Sequence, residues 1–201
     1  MRMDLTRVTE DAPYVIDGEL RDAAVLVPVI EREDAHYLMF IKRSEDLGQH
    51  PGQMSFPGGG REPDDDDLIE TALREAIEEV GVVASEAELI GRLDDIRTVT
   101  GYAVTPVVAR TPDRRYEPDG VEAAEVAVLS VADLTNPENY EHERREHPDH
   151  GEVVVHYFHV DGYTVWGATG RILVNLLELT TDWRAPDRTR DVRRSDRRND
   201  S

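Results

Sequence analysis

Residues 74–82 read Arg-Glu-Ala-Ile-Glu-Glu-Val-Gly-Val. Wound as a helix with Glu75 at zero, they put Glu79 at about 40° and Glu78 at about 300°, so three carboxylates share one arc. Ile69, Leu73, Ala76, Ile77 and Val80 fall at roughly 100–200°, a separate apolar face that leaves the carboxylates away from the core. Like charges three and four residues apart repel each other. Arg74 beside them would relieve that repulsion. So would a hard divalent cation, which takes oxygen ligands and shares them with substrate phosphates. In so acidic a chain a solvated helix face is the bland alternative, and the glutamates alone leave both readings open. The preceding run Ser55-Phe56-Pro57-Gly58-Gly59-Gly60 shifts the balance. Glycines let main chain approach a ligand closely. Alone such a run is more often a turn than a phosphate site, but followed at fixed spacing by the charged helix it is a strong signal.

Other side chains are less telling. Lys42 and Arg43 close a strand, where a phosphate contact and plain solvation are comparable expectations. His50 lies in the loop before the glycines and is equally divided between substrate contact and surface. His142, His147 and His150 are too irregularly spaced for a zinc site, so solvation is expected. Trp166, at a strand–helix junction, reads as a core residue rather than a base-stacking platform.

These groups must be held by regular elements. Residues 23–31 and 36–44 are β-branched and apolar and read as strands. A loop rich in Gly and Pro spans 48–60, and the helix is expected over 64–80, capped by Gly81. Further strands are expected near 88–99, 102–110, 123–131, 152–160 and 163–166, and a last helix over 167–179. Residues 136–150 read as a polar loop. The expected organisation is an N-terminal extension over 1–21, one domain over 22–181, and an Arg- and Asp-rich tail over 182–201. That tail carries seven Arg against five Asp and few apolar residues, so it is expected to be disordered.

The 201 residues include 43 Asp and Glu against 23 Lys and Arg, a formal charge of −20, and the single lysine is Lys42. Such a surface repels nucleic acid and anionic membranes, so neither is an expected partner. Carboxylate excess of this kind suits concentrated salt, where screening mutes self-repulsion; it resembles the composition of salt-in halophiles. The absence of cysteine excludes disulfides, thiolate metal sites and a cysteine nucleophile. With no apolar leader and no long apolar run, a cytoplasmic protein is expected.

Taken together, the glycine run and the helix resemble the signature of the Nudix hydrolase family: a Gly, an acidic residue, then R-E-x-x-E-E-x-G. The matching positions are Gly59 or Gly60, Asp66, Arg74, Glu75, Glu78, Glu79 and Gly81. Residues 38–44 and 47–59 further resemble the extra motif of the coenzyme A diphosphatase branch. Residues 100–107, 122–134 and 166–173 resemble later motifs of that branch, so the likeness runs from about 22 to 180. Gly48 stands where the branch usually has Arg, and Gly60 where it often has a longer side chain such as Lys. The resemblance implies an α/β fold, the Nudix α/β/α sandwich with a mixed sheet. It implies binding of Mg²⁺ or Mn²⁺ by Glu75, Glu78 and Glu79 with the Gly59 carbonyl, and orientation of those glutamates by Arg74. It implies a proton acceptor among Glu79, Glu122 and Glu125, and substrate contacts from Lys42, Arg43, His50, Gln53, Ser55, Gly58 and Gly59. The implied reaction is hydrolysis of the diphosphate of coenzyme A or a derivative. Alternatives are a diphosphatase for ADP-ribose, a dinucleotide or a nucleoside triphosphate, and a non-catalytic ligand-sensing module. Homodimers are common in the family.

Overall fold

The computed structural model describes residues 1–45, 52–147 and 151–185. His50 and Gly48, His150, and the tail from 186 onward therefore lie outside the described residues.

The two apolar segments form β1 (Arg21–Arg32) and β2 (Ala35–Arg43), antiparallel to each other only at their hairpin end, from Val29 opposite Leu38 to Arg32 opposite Ala35. Beyond that they diverge. Into the fork run β3 (Met54–Ser55), which pairs with β2, and β4 (Gly58–Gly60), which pairs with β1. Between the two, Leu26 donates its N–H to the Pro57 carbonyl at 2.8 Å. The glycine run is thus part of the sheet rather than a loop above it. β7 (Tyr102–Arg110) lies parallel to β1 over nine residue pairs and β8 (Ala123–Ser130) antiparallel to β2, giving a mixed sheet.

The segment expected as one strand over 88–99 is two, β5 (Glu88–Arg92) and β6 (Ile96–Arg97), both on β7. The break holds the buried Asp95, whose carboxylate accepts from Thr105 Oγ1 at 2.7 Å and from the Ile16 N–H at 2.9 Å. Closing the strand would leave that charge unpartnered.

Alternation sends β1 and β2 side chains to two cores. Leu26, Ile30, Met39 and Ile41 pack against α2 (Leu68–Val80). Val27, Val29, Leu38 and Phe40 pack on the other face with α4 (Gly167–Thr180) and with a short helix, α1 (Thr6–Glu10), that the sequence did not announce. Met3, Leu5 and Val8 are buried there, so the first residues complete the core. Helices on both faces of a mixed sheet make the expected α/β/α sandwich.

A short helix, α3 (Val131–Leu134), leads to the region expected as a polar loop over 136–150, which instead contains β9 (Tyr140–His147). It pairs antiparallel with β10 (Gly151–Val160), which pairs with β11 (Tyr163–Val165). Only one face of this sheet meets the core, through Phe158, Val160 and Val165. β9 contributes little apolar surface, which hid it: main-chain pairing and surface ion pairs such as Arg144–Glu152 at 2.9 Å hold it in place. No helix is long and apolar enough to cross a membrane among the described residues.

Candidate active site

The charged helix begins four residues later than expected. Asp67 is its N-cap, accepting from the N–H groups of Ile69 and Glu70. Gly81 ends it in the left-handed region (φ 67°), and Gly81 and Val82 return their N–H groups to Ile77 and Ala76, as the sequence indicated.

The helix is turned about its axis relative to the expected apolar face. Ala72, Ala76 and Val80 are buried, and so is Glu79 at 2 % exposure, whereas Ile77 is 44 % exposed. The carboxylates are therefore not a cluster apart from the core. They grade across its boundary: Glu79 inside, Glu75 half-buried, Glu78 outside. What turns the helix is the glycine strand. At Gly59 a Cβ would lie 2.4 Å from Glu75 Oε1, and at Gly58 it would lie 2.3 Å from the Ala24 carbonyl oxygen. Glycine at both positions lets β4 lie in the sheet directly under these side chains, and Gly58, at φ 156°, donates its N–H to Glu79 Oε2 at 2.9 Å.

Glu79 Oε1, by contrast, is buried without a hydrogen-bond partner. Burial lifts the Glu79 carboxyl to about 8; Glu75 and Glu122 push the same way, while the Gly58 N–H and Arg43 oppose. Glu75 is also raised, first by burial, with Arg74 opposing and Glu78 and Glu122 adding to the rise. A buried carboxylate oxygen aimed at no donor, next to a second carboxylate, fits a divalent cation. Among the described residues, no three acidic or histidine side chains yet stand close enough to enclose one; Glu78 is turned out, 3.5 Å from Arg74 Nη1.

Arg74 reaches Glu75, the glutamate it was expected to orient, and its main partner was not foreseen. It is bidentate to Asp65, Nε to Oδ1 at 3.0 Å and Nη2 to Oδ2 at 3.1 Å, while Nη1 reaches Glu75 at 3.0 Å and Nη2 the Gly60 carbonyl at 3.1 Å. Asp65 is buried and also accepts from Thr71 Oγ1 and the Glu62 N–H. Arg74 holds its carboxyl well below the usual carboxylate range. Asp66, which the spacing selected, is exposed, and its side chain makes no hydrogen bond or ion pair among the described residues. Four consecutive aspartates, 64–67, gave no local signal to choose between them.

The remaining positions divide between the two faces of the sheet. Arg43 acts on Glu79 and so lies on the α2 side; its N–H donates to the Gln53 carbonyl at 3.0 Å. Lys42 is paired with Glu125 on the α4 side, where Glu125 accepts from the Tyr163 hydroxyl. This takes Glu125 away from the glutamates of α2. The register slips between Lys42 and Arg43, opposite Ala124, and the slip turns Ala123 toward α2. Glu122, just before it, contributes to the field on both Glu75 and Glu79. Asp119 positions it by accepting from the N–H groups of Glu122 and Ala123, at 3.1 and 2.8 Å, while its own N–H is fixed to the Glu79 carbonyl at 2.9 Å. Gln53 and Ser55 are half-buried, and Ser55 Oγ is a second buried atom without a partner. Trp166 is 36 % exposed and stacks on Tyr157 with centroids 6.0 Å apart, not in the core as expected.

Comparison with known proteins decides the family. The NUDIX domain model matches residues 20–147. The chain belongs to the Nudix family. It is accordingly an enzyme of the diphosphate-hydrolase type. "Uncharacterized Nudix hydrolase NudL" of Enterobacter sp. (strain 638) is 39% identical over 160 residues, covering 78% of this chain and 81% of that one. The NudL of Yersinia pestis (strain Pestoides F) is 34% identical over 162 residues, 79% of each. Among solved structures, a MutT/nudix family protein from Enterococcus faecalis superposes with a TM-score of 0.53 at 17% identity, covering 84% of this chain and 64% of that one. This agrees with the Nudix sandwich. Nudix enzymes generally use divalent cations, which suits the donor set on α2.

Proposed function

We propose that this Nudix hydrolase cleaves the diphosphate of coenzyme A or one of its derivatives, giving a phosphopantetheine and adenosine 3′,5′-bisphosphate. The observation that carries the reading is the course of residues 53–60. The segment resembling the coenzyme A motif runs from Gln53 through the β1–β2 fork and ends with Gly58 and Gly59 against Glu79 and Glu75. A substrate held by that segment has its diphosphate at the glutamates.

Glu75, Glu78 and Glu79, with the Gly59 carbonyl, would hold Mg²⁺ or Mn²⁺. A bound divalent cation supplies Lewis-acid stabilisation of the charge that builds on the diphosphate oxygens. Arg74, anchored by Asp65, keeps Glu75 turned toward the site. Arg43 makes no ion pair among the described residues and sits in the field of Glu79, so it would hold a phosphate oxygen of the substrate. Ser55 Oγ and the Gln53 amide would add hydrogen bonds, and Lys42 would reach the part of the substrate beyond the diphosphate. Glu122 carries no ion pair among the described residues, and we assign it the proton of the attacking water. Glu79, committed to the cation and to the Gly58 N–H, is the alternative acceptor. His50 belongs to the same motif.

The test is hydrolysis of coenzyme A, ADP-ribose and NADH side by side, at high KCl with Mg²⁺ or Mn²⁺, with Glu79→Gln as control. The reading requires coenzyme A to be cut best and the variant to be inactive. Preference for another substrate with an inactive variant leaves a Nudix diphosphatase of different specificity. A folded, metal-loaded protein that cuts none of them would be a ligand sensor.

A further inference from the structure

At the Gly60 end of the glycine strand is a cavity of about 450 Å³ lined by Arg21, Asp22, Gly60, Arg61, Glu62, Pro63 and Tyr102. Its charges are unusual for this chain. Arg21 makes no ion pair among the described residues, although acidic residues outnumber basic ones 43 to 23. It is nonetheless held in place: its guanidinium carbon stands 4.0 Å over the Tyr102 ring, and Nη2 donates to the Thr100 carbonyl at 3.1 Å. Arg61 is fixed through Nη2 to the carbonyls of Asp65 and Asp66 at 3.1 and 2.9 Å, and its Nη1 is only 4.0 Å from Asp22. Glu62 is drawn toward Arg74, 3.9 Å away. Between the two arginines the rim is open at Gly60, where a Cβ would meet nothing nearer than Tyr102 Cε1 at 3.9 Å. One guanidinium, Arg74, links this rim to the site, binding both the Gly60 carbonyl and Glu75.

We propose that this cavity takes a second phosphate of the substrate, one outside the scissile diphosphate, with Arg21 and Arg61 as its ligands. A guanidinium pre-positioned over a ring and left without a counter-ion has its remaining N–H donors directed to an anion that comes and goes. A dianionic phosphomonoester matches Arg21 together with Arg61, whose ion pair with Asp22 is long at 4.0 Å, with Asp22 and Glu62 as acceptors for neighbouring hydroxyls. The inference rests on the coenzyme A reading, because the adenosine 3′,5′-bisphosphate end of that substrate carries such a phosphate.

The test is calorimetric binding of adenosine 3′,5′-bisphosphate and of adenosine 5′-monophosphate to the full chain with Mg²⁺ present, comparing the natural protein with Arg21→Gln. The bisphosphate is expected to bind about ten- to a hundredfold more tightly than the monophosphate, a preference that falls about tenfold or more in the variant. Unchanged monophosphate affinity in the variant shows that the fold is intact. Equal affinity for the two nucleotides in the natural protein, or an undiminished preference in Arg21→Gln, overturns the proposal. Hydrolysis separates it from the reading beneath it. If coenzyme A and dephospho-coenzyme A are cut equally well, the cavity assignment fails while the diphosphatase reading stands. If the bisphosphate preference depends on Arg21 but coenzyme A is not cut, the cavity stands and the substrate assignment fails.

Discussion

Glu79 is the residue at which stability and chemistry oppose each other. Its carboxyl is raised from 4.5 to about 8 because it is buried with one oxygen unpartnered. The native state therefore holds a proton that the unfolded chain gives up at 4.5, and without metal the protein loses stability as pH rises from about 4.5 to 8. Glu79→Gln should abolish turnover and flatten this part of the pH–stability curve; melting both proteins in chelator across that range is the check, and parallel curves would refute the assignment. Asp65 gives the opposite sign. Its depressed carboxyl stabilises the fold above 3.8, and that contribution is lost as the pH falls further. Asp65→Asn should cost about 3 kcal/mol by leaving Arg74 without its bidentate partner, and lower kcat/KM about 10- to 100-fold by freeing Glu75. Asp66→Asn should stay within about 0.5 kcal/mol of the natural protein. A larger effect of Asp66→Asn than of Asp65→Asn would show that the spacing had chosen rightly and the geometry wrongly.

At the level of elements, the glycine strand and the N-terminal segment are the two pieces that other parts of the fold cannot replace. A Cβ at Gly58 meets main chain at 2.3 Å in a backbone conformation that side chains avoid, so Gly58→Ala should cost about 3 kcal/mol or more. Gly60→Ala faces open space and should change stability by less than about 0.5 kcal/mol; chemical denaturation separates the two. The N-terminal segment is latched by His36, which is 3 % exposed and whose Nδ1 accepts the Met3 N–H at 2.8 Å. Burial lowers its pKa below 6.5. The latch is therefore complete above 6.5, and its stabilisation declines as the unfolded chain takes up protons first on acidification. Loss of amide protection at residues 3–8, taken relative to the intrinsic exchange rate at each pH, on going to mildly acidic pH and absent in His36→Phe, is the expected result; identical pH dependence of protection in both proteins would exclude the latch.

For the whole molecule the dominant fact is the charge of −20. At about 0.1 M salt the screening length is about 10 Å, enough for surface carboxylates to repel across several residues, and at about 1 M it is about 3 Å. Raising KCl from about 0.1 M to 1 M should therefore raise the melting temperature by several degrees; indifference to KCl would remove the link between composition and salt. Arg43 and Arg21, two arginines without an ion pair among the described residues, lie near the ends of the glycine strand, in the field of Glu79 and beside Gly60 respectively. Against so acidic a surface, these two cations would draw an anionic substrate toward the glycine strand.

The chemistry was legible in the chain because it is written locally. Carboxylates three and four residues apart on a helix, a capping glycine after them and a glycine run before them are short-range patterns, and helix and strand periodicity placed most elements around them. Tertiary structure decided what periodicity cannot see. Which face of α2 is buried depended on how closely β4 could approach it, and that made Glu79 a core residue and left Ile77 at the surface. The choice of Asp65 over Asp66 depended on which carboxylate reached Arg74 across a turn. One register slip on β8, opposite Lys42 and Arg43, turned Ala123 toward α2 while Glu125 stayed on the other face. β9 exists because β10 pairs with it, since its own side chains bury little. Each of these rests on contacts between residues distant in sequence, so no local reading of the chain contained them.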